Sequence, residues 1–241
     1  GATEPVRSLA ENATAKDLVA LRHDVDYDID IALEMATIEH RLGKRATYYV
    51  LHTAPYWNDP LVVEKCRRIQ DLGHEIGLHT NVLAEWVTGR VDDVGSRFAE
   101  LLDMLRKGGV TVTGMTAHGD RLCYDIGFIN YWCFAELRPD DPLLHEDGMT
   151  AEGLRDPHGL RSVAYPARHS LERSDGALFP LWSISMKSLG FDYDAMHLAF
   201  DRYFTDSGGS WSRSTDPIEA DLSSGRHQVL IHPIHWSGRG K

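Results

Sequence analysis

Carboxylate and imidazole side chains recur in this sequence where short apolar runs end. Asp24, Asp26, His79, His118 and His232 each stand at or just after such a run. Two carboxylates placed two residues apart on a strand point to the same face. Carboxylates and imidazoles bind divalent metals and also exchange protons with substrates. The sequence therefore predicts metal or acid–base chemistry, provided that these runs end at one edge of the fold.

Several of these residues also have simpler interpretations. Asp26 or Asp28 is a suitable cap for the helix that follows, and His79 on its own is typical of a core histidine bonded to backbone. His74 is expected to close the preceding helix and face solvent, and His235 to lie in a loop. The local sequence alone leaves the cap and core alternatives open.

Strand-like and helix-like segments alternate along the chain, which predicts parallel βα units. Strands are expected over residues 18–26, 46–51, Glu75–Thr80, 110–116 and 228–231, and helices over residues 29–42, 61–72, 82–107 and 179–189, with a break near Gly89. Residues 120–180 are rich in Pro, Asp and Gly and are expected to be irregular. In parallel α/β folds active sites form at the carboxyl ends of the strands, where the candidate residues stand.

The amino-acid composition and net charge argue against some classes of protein. The chain has 241 residues, 42% hydrophobic and 25% charged, which suits a single domain over residues 1–241. The formal net charge of -11 and the absence of a basic run argue against nucleic-acid binding. The three cysteines form no CxxC pair, and no apolar leader or membrane-length run is visible. We therefore expect a cytoplasmic protein with no membrane partner.

Four segments together resemble one family. They are LRHDVD (residues 21–26), RLGKRATYYV (41–50), GHEIGLHT (73–80) and VLIHP (229–233). They are similar to the polysaccharide deacetylases, the NodB-homology group or carbohydrate esterase family 4, which typically read GHEIGNHT at the third segment. The resemblance implies an α/β fold, a distorted (β/α) barrel with fewer than eight complete units. It also implies a metal-dependent hydrolase that removes an acetyl or similar acyl group.

The resemblance also implies a role for each matching residue. Asp24 corresponds to the catalytic base and Asp26 to the metal-binding aspartate, although the family usually has adjacent aspartates, so the two roles are open to exchange. His79 corresponds to the first metal histidine. His232 corresponds to the general acid, with Asp206 tuning it.

The sequence departs from the family pattern at the second metal histidine. Leu83 stands at that position and cannot bind a metal. We hypothesise that His118 supplies the missing ligand, with Asn81 or water as the alternative. Trp211, as part of an Asp…Trp motif, is expected to line the substrate groove, with Arg22 and Asn81 as further substrate contacts.

Two histidines and one aspartate suit zinc, and nickel or cobalt fits as well. The expected substrate is a sugar or glycan. Two alternatives remain open at this stage: a catalytically inactive barrel that binds glycans, and a metal-dependent amidohydrolase that acts on a small non-sugar amide.

Overall fold

The computed structural model describes residues 3–138, 169–211 and 216–237, with alternating strands and helices over the first half of the chain. The strands are β1 (Asp17–Val25), β2 (Thr47–Leu51), β3 (Glu75–Thr80), β4 (Val112–Ala117), β5 (Ser170–Glu172), β6 (Leu178–Pro180), β7 (Tyr193–Asp194), β8 (Arg202–Thr205) and β9 (Gly225–Ile231). The α-helices are α1 (Arg7–Glu11), α2 (Ile29–Arg41), α3 (Val62–Asp71), α4 (Val82–Val87), α5 (Val94–Lys107) and α6 (Arg121–Ile126). None of these helices is both long and apolar enough to cross a membrane.

The main sheet has seven strands in the order β7-β4-β3-β2-β1-β9-β8, and every neighbouring pair is parallel. Strands β5 and β6 form a separate antiparallel pair. The edge strands β7 and β8 do not pair with each other in the described part of the chain, so the sheet stays open there. The predicted fold, an α/β barrel with fewer than eight units, is confirmed.

Contacts across the inner face show how strongly the sheet curls. Arg22 on β1 donates to Thr116 Oγ1 on β4 at 2.9 Å, although two strands lie between them in the sheet order. In a flat sheet those strands would be about 14 Å apart. Tyr49 on β2 likewise meets the hydroxyl of Tyr193 on β7 at 3.1 Å. The sheet is therefore curved so strongly that side chains from strands that are not neighbours touch across its concave face.

Alternation along the strands sends neighbouring residues into two different cores. Tyr48 belongs to the large apolar cluster beneath α2 to α5, on the outer face of the sheet. Tyr49 belongs to a smaller cluster on the inner face, with Val6 and Leu9 from the N-terminal segment. All residues of β3 are buried, as expected for a strand covered on both faces.

Two glycines leave room for the tyrosine rings inside the barrel. A Cβ on Gly77 would lie 2.3 Å from the ring of Tyr49, and one on Gly114 would lie 2.3 Å from the ring of Tyr193. These separations are far below van der Waals contact. The second glycine of GHEIGLHT therefore serves the packing of the barrel interior.

Most of the predicted elements are confirmed within a few residues, including the break that separates α4 from α5. The predicted helix over residues 179–189 is wrong. Its start forms β6, Trp182 has a positive φ of 56°, and a single 3-10 turn follows at Lys187–Leu189. The two shortest strands of the sheet, β7 and β8, were not predicted. Residues 139–168 of the predicted irregular region lie outside the described residues.

Candidate active site

The candidate side chains meet at the carboxyl edge of the sheet, as the strand ends require. Asp26 follows β1, His79 lies near the end of β3, and His118 follows β4. Asp206 and His232 directly follow β8 and β9. All these strands are parallel, so their ends open on one side of the barrel.

Asp26, His79 and His118 form the site that suits a metal ion. One ligand atom from each of the three lies within 4.8 Å of the others. The Oδ1 atom of Asp26 and the Nδ1 atom of His118 are buried and have no hydrogen-bond partner in the described part of the chain. Buried polar atoms are normally satisfied. A carboxylate and two imidazoles are also the donor set that Zn²⁺ prefers, so the residues present fit a divalent metal.

The helix cap that competed for Asp26 is provided by Asp28. Its Oδ1 accepts from the backbone N–H groups of Asp30 at 2.8 Å and Ile31 at 3.2 Å, at the start of α2. Asp26 is thereby free to turn toward the site. Its Oδ1 lies 3.5 Å from His79 Nε2, and its Oδ2 lies 3.7 Å from His232 Nε2.

His79 is oriented by a backbone carbonyl. Its Nδ1 lies 3.1 Å from Thr116 O, which directs Nε2 toward Asp24 at 3.4 Å and Asp26. Burial lowers the pKa of His79 to about 4 against the opposing effect of the two carboxylates. A neutral imidazole whose other nitrogen bonds a carbonyl is the usual state of a metal-ligating histidine.

Arg22 holds Asp24 through both carboxylate oxygens. Its Nε donates to Oδ1 at 2.8 Å and its Nη2 to Oδ2 at 2.7 Å. Burial would raise the pKa of Asp24, but Arg22 and the nearby His79 hold that pKa well below its usual range. Asp24 is therefore ionised and fixed in orientation.

The remaining donors of Arg22 are also engaged inside the protein. A guanidinium has five N–H groups, and beyond the two bonds to Asp24 they reach Thr116 Oγ1, Gln228 Oε1 and Met196 Sδ. Arg22 is only 3% exposed. The geometry therefore gives Arg22 a role in placing Asp24, and it leaves no donor for the predicted substrate contact.

His232 and Asp206 form a hydrogen-bonded pair in which Asp206 is buried and His232 is half-buried. His232 Nδ1 lies 2.6 Å from Asp206 Oδ1, and the backbone N–H of His232 also donates to that carboxylate. Burial lowers the pKa of His232, but the bond to Asp206 and the neighbouring carboxylates outweigh it, so the pKa is raised. The imidazolium form is favoured, and its Nε2 faces the site.

The tryptophan that bonds Asp206 is Trp236. Its Nε1 donates to Asp206 Oδ2 at 2.8 Å. Trp211, which the resemblance paired with Asp206, instead packs its ring 6.2 Å from that of Trp236. Its contact with substrate stays a prediction.

Two further residues that the sequence singled out, Leu83 and Asn81, are held within the protein by packing and by hydrogen bonds. Leu83 is fully buried in the outer core. The Nδ2 atom of Asn81 donates to Asp120 at 2.8 Å and to Thr53 at 3.3 Å, while its Oδ1 accepts from Asn130 at 2.8 Å. Both donors of Asn81 are thus used within the protein, and its contact with substrate or metal stays a prediction.

Two other histidine predictions have different outcomes. His74 does not face solvent: it is 4% exposed, with Nε2 at 3.0 Å from Ala36 O and Nδ1 accepting from Ala46 N. The loop position of His235 is confirmed by the 3-10 turn Pro233–Trp236. Its ring lies 5.6 Å from that of His232.

Sequence reasoning did not assign roles to Asn130, Asp120, Thr116 or Trp236. Asn130 lies in a 3-10 turn after α6, with no periodic signal around it. Asp120 directly follows the His118-Gly119 pair, and this closeness to a candidate ligand is the one signal that pointed to it.

Two solved structures are similar to this chain at low sequence identity. A chitin deacetylase from the fungal pathogen Colletotrichum lindemuthianum aligns at 15% identity and a TM-score of 0.45, over 92% of this chain and 76% of its own. A family 4 carbohydrate esterase from Bacillus anthracis aligns at 13% identity and a TM-score of 0.38, over 89% of this chain and 67% of its own. No protein-family model and no curated protein matches the chain. We therefore infer function from the side chains of the site.

Proposed function

We propose that this protein is a metal-dependent hydrolase that removes an acetyl or similar acyl group from a sugar or glycan. The observation that carries the proposal is the grouping of Asp26, His79 and His118, with Asp24 3.4 Å from His79 and His232 3.7 Å from Asp26. Three of the four segments that resemble the polysaccharide deacetylases contribute four of these five residues.

Asp26, His79 and His118 would hold the metal, with zinc as the first candidate. A divalent ion supplies Lewis acidity there, because it lowers the pKa of water and polarises an acyl carbonyl. His79 contributes by staying neutral, since burial holds its pKa at about 4.

Asp24 would accept a proton from the attacking water. Its carboxylate is ionised, and Arg22 keeps it from rotating. The same bonds weaken it as a base, because a low pKa reduces the driving force for proton transfer. In this site the base is therefore held in a fixed orientation, and its basicity is reduced.

His232 would donate a proton to the leaving amine or alkoxide. Asp206 accepts from Nδ1, which fixes the ring and stabilises the imidazolium, and Nε2 is the nitrogen on the site side. A positioned acid of this kind contributes roughly 10²–10⁴-fold to a rate.

The test is acetate release from acetylated glucosamine oligomers by protein loaded with Zn²⁺ or Co²⁺. Asp24→Asn should retain the metal and lose roughly 10²–10⁴-fold in turnover. Asp28→Asn is the matched control, because asparagine caps helices as well as aspartate does and the side chain of Asp28 accepts from the start of α2. Unchanged turnover in Asp24→Asn would remove Asp24 from the mechanism.

The same assay separates the alternatives. A glycan-binding barrel without activity would bind the oligomers and release no acetate, with or without metal. An amidohydrolase for small non-sugar amides would hold the metal, leave the oligomers intact and hydrolyse simple acyl amides.

A further inference from the structure

His79 and His118 are fixed in different ways although they share one site. The ring of His79 is oriented by its Nδ1 contact with Thr116 O at 3.1 Å. The Nδ1 of His118, the orphaned nitrogen left for the metal, is buried and has no hydrogen-bond partner in the described residues, so it contributes no bond that would orient this ring. The ring of His118 packs edge-on against that of His79, with centroids 5.0 Å apart. The orientation of the His118 ring toward the metal therefore depends on the position of its backbone.

The backbone of His118 lies beyond the regular ladder, since β4 ends at Ala117. Its N–H still donates to Thr80 O at 2.8 Å. Its carbonyl accepts from the side chain of Asn130, with Nδ2 at 2.8 Å. One strand and one side chain thus clamp the peptide groups on either side of the histidine.

Asn130 is fully buried, and its hydrogen bonds specify an amide. Its Oδ1 accepts from Ala84 N at 3.0 Å in the first turn of α4. Its Nδ2 donates to His118 O and to Asn81 Oδ1, both at 2.8 Å, with a weaker contact to Cys123 Sγ at 3.3 Å. A carboxylate would serve the first bond but has no proton for the others. The position therefore needs a donor and an acceptor at once.

Asn81 extends the clamp to the loop on the far side of His118. It receives the bond from Asn130 and donates to Asp120 Oδ2 at 2.8 Å. The Oδ1 atom of Asp120 caps α6 through Leu122 N at 2.9 Å. The residues after β3 and after β4 are in this way tied to one another around His118.

We infer that Asn130 is a positioning residue for His118, aiming its imidazole at the metal held with Asp26 and His79. The inference rests on the proposed metal-dependent function. Metal ligands need placement to within about 0.5 Å, and partners of ligands typically contribute 10–100-fold to metal affinity. A ligand that lies outside the strand ladder, and whose orphaned Nδ1 is the nitrogen left for the metal, depends on its backbone clamp more than His79, whose Nδ1 is fixed by a carbonyl.

The test measures Co²⁺ affinity and the visible spectrum of the Co²⁺ complex, which reports the coordination of the ion. Asn130→Asp keeps the acceptor for Ala84 and removes the donor to His118. We expect affinity to fall by roughly 10–100-fold and the spectrum to change. Asn130→Ser, which is uncharged and too short to span the same partners, serves where the aspartate variant is not recovered folded.

Tyr48→Phe is the matched control, because it removes a part-buried bond, from Tyr48 OH to Glu39 Oε2 at 2.6 Å, on the outer face of the sheet. It should lower the free energy of unfolding and leave Co²⁺ affinity and spectrum unchanged. Wild-type affinity and spectrum in both Asn130 variants would overturn the inference while the proposed function stands. An equal loss in Tyr48→Phe would also overturn it, as a general effect of stability. A wild-type protein that binds no Co²⁺ would overturn the proposed function and this inference together.

Discussion

Asp206 accepts three hydrogen bonds from the segment after β9, and these bonds decide what His232 can do. The donors are the backbone N–H and Nδ1 of His232 and the indole Nε1 of Trp236. Burial would raise the pKa of Asp206, but the bonds from His232 and Trp236 lower it. A fixed negative charge thus stays beside the imidazole, where it favours the protonated ring.

Replacing Asp206 by asparagine should therefore lower the pKa of His232. The charge that favours the imidazolium is removed while the shape of the side chain is kept. NMR titration of the metal-free protein measures the pKa directly, and in the loaded enzyme the loss of turnover at alkaline pH should move to lower pH. Asp201→Asn, at the opposite end of β8, is the control, since Asp201 accepts from Arg226 N and takes no part in the site. An unshifted His232 titration in Asp206→Asn would contradict this account.

The sequence could predict residues whose position follows from a strand end, and it could not predict their distant partners. Asp26, His79 and His232 were foreseeable because an apolar run leads to each. Arg22 lies two residues from Asp24 on the same strand, so that pairing was open to prediction, but the bond from Arg22 to Thr116 and the bond from Trp236 to Asp206 join residues far apart in the chain. Neither local periodicity nor spacing encodes such contacts.

At the scale of elements, three segments around the site are linked by one buried ionic group. Glu85 on α4 accepts from His52 Nε2 after β2 at 3.0 Å and from Arg97 Nε on α5 at 3.1 Å. Burial would raise the pKa of Glu85, but these bonds lower it to about 2. The ionised carboxylate therefore stabilises the contact between α4, α5 and the end of β2.

This linkage predicts how stability depends on pH. A carboxyl group whose pKa is lower in the folded state stabilises the fold above its ordinary pKa, and the effect is lost as pH falls toward the folded value. The difference in unfolding free energy between wild type and Glu85→Gln should be constant above about pH 5 and should shrink as pH falls toward 2. Glu100→Gln is the matched control, because Glu100 pairs with the same Arg97 and its side chain is 71% exposed. A difference that does not change with pH would show that the charge of Glu85 is not what stabilises this contact.

The close packing inside the barrel leads to a prediction for a substitution in β3. Alanine at Gly77 would place its Cβ 2.3 Å from the Tyr49 ring and 3.0 Å from the carbonyl of Gly114, so strand and ring cannot both stay in place. We expect Gly77→Ala to lower the free energy of unfolding by about 1–3 kcal/mol, measured by urea denaturation. Gly95→Ala in α5 is the control, since its Cβ would meet Asp93 at 3.5 Å, an ordinary contact. Equal stability of the two variants would show that the Tyr49 ring moves aside without cost.

Elements were predictable from the sequence in proportion to their length and regularity. The long amphipathic helices and the fully buried strand β3 have clear patterns. Strand β7 has two residues and is defined by its pairing with β4. Likewise β6 is defined by its pairing with β5. It overlaps the start of residues 179–189, whose apolar residues had suggested a helix. Short strands depend on partners that the local sequence does not show.

At the scale of the whole molecule, the site concentrates charge where strands from both halves of the chain converge. Asp24 lies on β1 and Asp26 directly after it, His118 comes from the middle of the sequence, and Asp206 and His232 come from its last part. An ion bound by Asp26, His79 and His118 would connect β1, β3 and β4. Metal binding should for this reason stabilise the entire fold, because the unfolded chain does not hold these residues together.

Thermal unfolding measures this coupling. Zn²⁺ at about 100 times its dissociation constant should add about 2.7 kcal/mol to the unfolding free energy of the wild type, and a chelator should reverse the shift. His118→Ala should lose most of the gain, since it removes one of the three ligands. His235→Ala is the matched control, because His235 lies at the same edge, 5.6 Å from the ring of His232, and outside the ligand group. If His235→Ala lost the zinc effect and His118→Ala kept it, the ion would be held by the β9 side of the site, and the assignment of His118 would be wrong.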